Sequence, residues 1–177
     1  MRFSETPLPG AWLIEPELVH DERGFFGRTF CVREYESRGL TTLFVQHSTS
    51  CSRRKGTVRG MHFQRPPHQE AKVVTCLKGA IWDVIIDLRP GSATHGQWFG
   101  AELTADNRRR MYVPEGFAHG QQALTDDAEI GYLISNFHQP EAAAGFRHDD
   151  PAFGIRWPLA VTVVAEKDMA WPSYMPG

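Results

Sequence analysis

Cysteine is scarce in this 177-residue chain: Cys31, Cys51 and Cys76 are all there is, an odd count with no C-x-x-C pair. That argues against a disulfide framework and against a thiolate zinc site, and free thiols fit a reducing cytoplasm. An excess of one charge sign is lacking too. With a formal net charge of −2, no global basic field exists to hold nucleic acid or an anionic membrane, so any phosphate binding must be local. No apolar run reaches the roughly 18 residues of a membrane span. The opening MRFSETPLPG has no apolar stretch of the secretory type. Internal repeats, low-complexity segments and long linkers are missing as well. The expectation is one cytoplasmic domain over residues 1–177, long enough to bury a core without staples.

What the chain does have is punctuation. Its 16 glycines and 12 prolines recur at short intervals, the rhythm of many short strands. KVVTCLKGAIWDVIIDLR is the clearest case. Val73 to Leu77 reads as one strand, Lys78-Gly79 as a tight turn, and Ile81 to Leu88 as the return strand of a hairpin. Trp82, Val84, Ile86 and Leu88 share one face of that return strand, while Ile81 and Ile85 lie on the other with Asp83 and Asp87. Two partly apolar faces predict a strand held between layers. RRRMYVP and AEIGYLIS predict further strands, VREYESRG a short helix stopped by Gly39, and PAFGIRWP a loop. The fold class expected is all-β, a sandwich or barrel with a few short helices and a ligand site in its inner cavity.

Titratable groups concentrate in RGMHFQRPPHQEAK, just before an apolar strand. One reading is a metal site. The segment resembles the first cupin signature, with Gly56 five residues ahead of His62, and PEGFAH resembles the second through Pro114, Gly116 and His119. This supports a jelly-roll (double-stranded β-helix) with two inward histidines. Gln64, however, stands where a metal cupin has its second histidine, and Glu70 comes later than the signature wants. Two imidazoles alone hold a divalent metal poorly.

A second resemblance covers nearly the whole length. DERGFFGRTF, VRGMHFQRPPHQEAK, WDVIIDLRPGSATHGQW, VPEGFAHG, HDDPAFGIRWP and the closing EKD resemble, in order and spacing, the dTDP-4-dehydrorhamnose 3,5-epimerase family, a branch of the cupins that works without cofactor or metal. The resemblance implies a nucleotide-sugar substrate with a C4 ketone. Hydrogens on C3 and C5 flank that ketone, so removing one gives an enolate, and reprotonation from the other side inverts the carbon. Such chemistry needs a base, an acid on the opposite face and a cation near the C4 oxygen. By resemblance His62 is the base, Asp168 its partner, Lys72 the cation and Tyr132 the acid. Alternation from Lys72 puts Val74 and Cys76 on the same face. Arg23, Gln46 and Arg59 match positions that hold the diphosphate and its surroundings, where a planar guanidinium suits phosphate oxygens. Phe26 matches an aromatic near the base, and His119 a polar group near the sugar. The family's homodimer, with exchanged N-terminal strands, implies that FSETPLPGAWLIEP crosses to the partner.

Several positions depart from the family pattern. Arg28 stands where a glutamate near the nucleobase is usual. Arginine can only donate hydrogen bonds, so CDP or GDP sugars become candidates alongside dTDP sugars. Leu133 follows the acid where a lysine is usual, Phe137 replaces a tyrosine near the base, Ser48 replaces an asparagine, and Gln121 replaces an aromatic. In RGMHFQRPPHQEAK this reading leaves Arg65, His68 and Glu70 as loop residues without a role. A metal-dependent cupin isomerase or dioxygenase and a non-catalytic sugar-binding cupin are the rival functions.

Overall fold

The apolar alternation seen along the chain resolves into two stacked antiparallel sheets. A computed structural model describes residues 1–175. In chain order the strands are β1 (Arg2–Glu5), β2 (Trp12–Glu15), β3 (Leu18–Asp21) and β4 (Gly24–Gly27), then, after helix α1 (Val32–Glu36), β5 (Gln46–Ser52) and β6 (Val58–Gln64). They continue with β7 (Lys72–Lys78), β8 (Ala80–Asp87), β9 (Trp98–Thr104), β10 (Arg110–Val113), β11 (Phe117–Ala123), β12 (Ala128–Ile134) and β13 (Ala143–Gly145), and the short helix α2 (Glu166–Met169). One sheet runs β1-β2-β10-β7-β12-β5 and the other β13-β6-β11-β8-β9. This is the expected jelly-roll.

The expected β7–β8 hairpin is corrected to a corner. β7 pairs with β10 and β12 in the first sheet, whereas β8 pairs with β11 and β9 in the second. Gly79, at φ 74°, turns the chain from one sheet to the other instead of back along the same one. Alternation sets which face a residue occupies, but it does not choose the neighbouring strand.

The faces themselves follow the alternation. Val74, Cys76, Ile81, Ile85, Leu103, Met111 and Ile130 fill the space between the sheets. Val84 and Ile86 are buried on the outer face of the second sheet, with Trp82 and Leu88 beside them, under a lid of Phe146, Phe153 and Trp157. β8 is therefore packed on both sides, as its two apolar faces predicted. On the outer face of the first sheet, Ile14, Val73 and Tyr112 pack against Tyr35 and Leu40. The helix ends as expected. The Leu40 N–H donates to the Tyr35 carbonyl and the Gly39 N–H to that of Glu36, with Gly39 at φ 68°. That is the paired-bond C-cap for which glycine is suited.

Segment 3–16, expected to cross to a partner, joins its own sheet in this chain: β1 pairs with β2, and Leu13 of β2 faces Met111 of β10. The β3–β4 hairpin stands apart as a two-stranded sheet. It leaves Val19, Phe25 and Phe26 largely exposed. Its contact with the rest of the chain includes Arg108 over the Phe25 ring at 4.3 Å.

Candidate active site

A cleft opens between the two sheets at the end where β6 and β7 meet the C-terminal segment. One part, about 390 Å³, is lined by Ser50, Arg59, His62, Lys72, His119, Gln121, Tyr132 and Asp168. An adjoining part of about 480 Å³ shares His62 and Lys72 and extends past Gln46, Glu70, His138 and Trp171. Strands of both sheets supply most of these groups, and the short helix α2 supplies Asp168. His62 and His119 are opposed residues on β6 and β11. Lys72 and Tyr132 come from β7 and β12 of the other sheet.

His62 and Asp168 lie 106 positions apart in sequence, yet His62 Nε2 and Asp168 Oδ1 are 2.7 Å apart. The carboxylate is almost completely buried. The Gly60 N–H also donates to its Oδ2 at 3.3 Å. Gly60 permits this approach: it sits at φ 119°, and a Cβ there would lie 2.5 Å from Gly120 Cα. Burial acts to raise the Asp168 pKa, but the His62 and Gly60 hydrogen bonds and the Lys167 charge outweigh it, so the carboxyl is held below its usual range. An ionised Asp168 accepts, so Nε2–H donates and His62 Nδ1 is left as the acceptor on a ring that lines the cleft.

Tyr132 presents its hydroxyl from the opposite sheet. Its oxygen is 3.0 Å from Ser50 Oγ and accepts from Gln121 Nε2 at 3.0 Å. Burial pushes the hydroxyl up, with the Asp83 charge adding to it, against the pull of Ser50, Gln121 and Arg59. Lys72 Nζ pairs with Glu70 Oε1 at 2.7 Å. Glu70 Oε2 in turn accepts from Gln64 Nε2 at 3.1 Å. Glu70, read from the sequence as a loop residue without a role, therefore orients the cation. Gln64 also donates to the His68 and Phe137 carbonyls and accepts from the Gln139 N–H. At the position where a metal cupin has a ligand, this chain has a clamp between two loops. Among the described residues no three His, Cys, Asp or Glu side chains form a ligand set.

His119 is buried, and its Nε2 is 2.7 Å from Asp83 Oδ1. Arg59 lines the cleft and is braced by Ser52 Oγ at 3.1 Å and the Cys51 carbonyl at 2.7 Å. Gln46 lines the adjoining part, with its Oε1 accepting from the His138 N–H at 2.8 Å. The cleft thus unites His62, Lys72, Tyr132, Asp168, Arg59, His119 and Gln46. Four expected site residues lie outside it in this chain. Arg23 pairs with Asp21 at 2.6 Å on the hairpin tip. Phe26 is 75% exposed. Arg28 lies 3.9 Å from Glu34. Phe137 turns its ring to solvent and contributes its carbonyl to Gln64. Ser50, Asp83 and Glu70 were not foreseen. Alternation from Gln46 through Ser48 would have found Ser50, but the partners of Asp83 and Glu70 depend on cross-strand register.

Known proteins share this sequence and this fold. The sequence pattern described as dTDP-4-dehydrorhamnose 3,5-epimerase matches residues 5–175. A curated protein of that name from Methanothermobacter thermautotrophicus is 44% identical over 173 residues, covering 96% of this chain and 92% of its own. The crystal structure of the enzyme of that name from Elizabethkingia anophelis superposes with a TM-score of 0.95 at 38% identity, covering 98% of this chain and 96% of the other. That from Bacillus anthracis, with TDP and PPi bound, gives 0.94 at 38% identity, covering 98% and 99%. The chain belongs to the dTDP-4-dehydrorhamnose 3,5-epimerase family.

Proposed function

We propose that the cleft inverts C3, C5 or both of a dTDP-linked 4-keto-6-deoxy sugar by proton transfer. The observation that carries this is the placement of an imidazole and a phenol on facing sheets of one cleft, with an ammonium beside them. His62, fixed by Asp168 with Nδ1 free to accept, removes the hydrogen next to the ketone. Lys72, aimed by Glu70, stabilises the charge that develops on the C4 oxygen. Tyr132 returns a proton from the opposite face, and the carbon is inverted. Arg59 supplies a guanidinium suited to the diphosphate, with Gln46 and His119 lining the remaining walls. Turnover in D2O tests the reading: deuterium should enter C3 or C5 of the product. Running dTDP, CDP and GDP 4-keto sugars side by side asks whether Arg28 has changed the base preference. Activity that depends on stoichiometric iron, manganese or zinc would instead support a metal cupin.

The functional unit on this reading is a homodimer. Arg23 and Phe26 stand on a projecting hairpin away from their own cleft, so they reach a cleft only if a second copy receives the hairpin. Exposed Val19, Phe25 and Phe26 give that hairpin an apolar surface to bury. The outer face of the first sheet offers a cavity of about 520 Å³ lined by Phe30, Phe44, Val73, Leu77 and Leu133. Mixing Arg23→Ala and His62→Ala subunits should restore up to about a quarter of native activity, from dimers with one intact cleft. No recovery after mixed refolding would argue against a shared site.

A further inference from the structure

The Tyr132 oxygen is held from both sheets at once. Gln121 reaches it from β11 and Ser50 from β5, each at 3.0 Å. Gln121 is 2% exposed, an expensive place for an amide. Its Oε1 has no partner among the described residues. Turning the amide over would leave its NH2 without a partner instead, which is the rarer and costlier arrangement. It would also make the amide oxygen accept the only proton the phenol has. In the observed orientation Gln121 donates.

We infer that Gln121 is a positioning residue for the proton-transfer reaction: with Ser50, it occupies the acceptor side of the Tyr132 oxygen, so that the phenol proton points to the substrate and the phenolate left after transfer is stabilised. This rests on the reading of Tyr132 as the acid. The Ser50 hydroxyl can donate or accept at this distance; with Ser50 donating beside Gln121, the phenol has two donors on its oxygen and its own O–H is free. Once the proton leaves, both donors face a full negative charge, and such charge-assisted bonds are stronger than neutral ones. The two contacts therefore gain strength as the proton departs, which is how a hydrogen bond speeds a step without tightening substrate binding. The direction agrees with the site electrostatics, in which Ser50 and Gln121 pull against burial.

The test compares Gln121→Leu and Gln121→Glu with the native enzyme in D2O, following two products of one reaction. Inversion requires Tyr132. Exchange with retention requires only that His62 remove a proton and return a deuteron on the same face, so it also reports that the cleft is folded. Gln121→Leu should lose roughly 10- to 100-fold in inversion with KM little changed, while exchange with retention persists. Its alkaline limb, where Tyr132 loses its proton, should move to higher pH. Gln121→Glu, assayed above the pH at which the introduced carboxyl ionises so that it only accepts, should lose at least as much. The inference is overturned if both variants keep the native ratio of inversion to exchange and the native alkaline limb. It is equally overturned if inversion and exchange fall in parallel. Should Gln121→Leu show no exchange because it does not fold, Gln121→Glu decides by the same criteria. Tyr132→Phe separates the two levels. Full inversion by that variant would remove Tyr132 and Gln121 together. Loss of inversion there, with unaltered Gln121 variants, would remove Gln121 alone.

Discussion

His62 and His119 face each other across β6 and β11, and each ring meets an aspartate at 2.7 Å. Their surroundings differ. The His62 side chain is 37% exposed to the cleft, whereas that of His119 is 8% exposed. Asp168 has both oxygens satisfied, one by His62 and one by the Gly60 N–H. Asp83 is fully buried, and its Oδ2 has no partner among the described residues. The same pair of side chains thus serves two ends. One pair has an accessible nitrogen and a well-held carboxylate, which suits repeated proton exchange. The other is enclosed; it forms part of the cleft wall and keeps Asp83 paired. A histidine–aspartate contact does not by itself mark a base.

Exchanging the two histidines one at a time is the sharpest way to break that comparison. His62→Ala should lose inversion and exchange together, by roughly 10³-fold. His119→Ala should retain exchange but lower the midpoint of urea unfolding, at a cost of about 1–3 kcal/mol for leaving buried Asp83 unpaired. Equal rate losses in a stable His119→Ala protein would show that the two pairs are not distinct in function. A smaller effect is expected one step back, at Asp168. Asp168→Asn should lower turnover on the order of 10²-fold by releasing the tautomer and orientation of His62. It should also alter acid stability. Because the folded Asp168 pKa is depressed, its stabilisation is present above the ordinary value near 3.8 and is lost as pH falls through the lower folded value. The native-minus-variant difference in unfolding free energy should accordingly shrink as urea melts are taken below that pH. A difference that stays constant or grows on acidification would contradict the ionised, hydrogen-bonded carboxylate.

Local pattern made part of the molecule legible. Alternation in VVTCL and AIWDVIID placed Lys72, Val74 and Cys76 on one face and predicted both packed faces of β8. Gly39 marked the helix end. His62, Lys72, Tyr132 and Asp168 were picked out by motif resemblance, and the fold brings all four to one cleft. Other features were not legible. The Lys78-Gly79 turn read as a hairpin because a glycine turn between two strands looks the same whether the chain returns along one sheet or crosses to another. Glu70 read as an idle loop residue because its partners, Lys72 and Gln64, meet it only when the strand ends are aligned.

By itself the sequence determined the strand periodicity, the side-chain faces and the kinds of chemical group available, since these follow from backbone geometry and residue type along a local stretch. Only the tertiary structure decided which groups act together. Asp168 reaches His62 from the far end of the chain, and Gln121 and Ser50 meet at Tyr132 from opposite sheets. Those contacts depend on strand order and register, which non-local packing selects. The same packing leaves one histidine open to the cleft and closes the other.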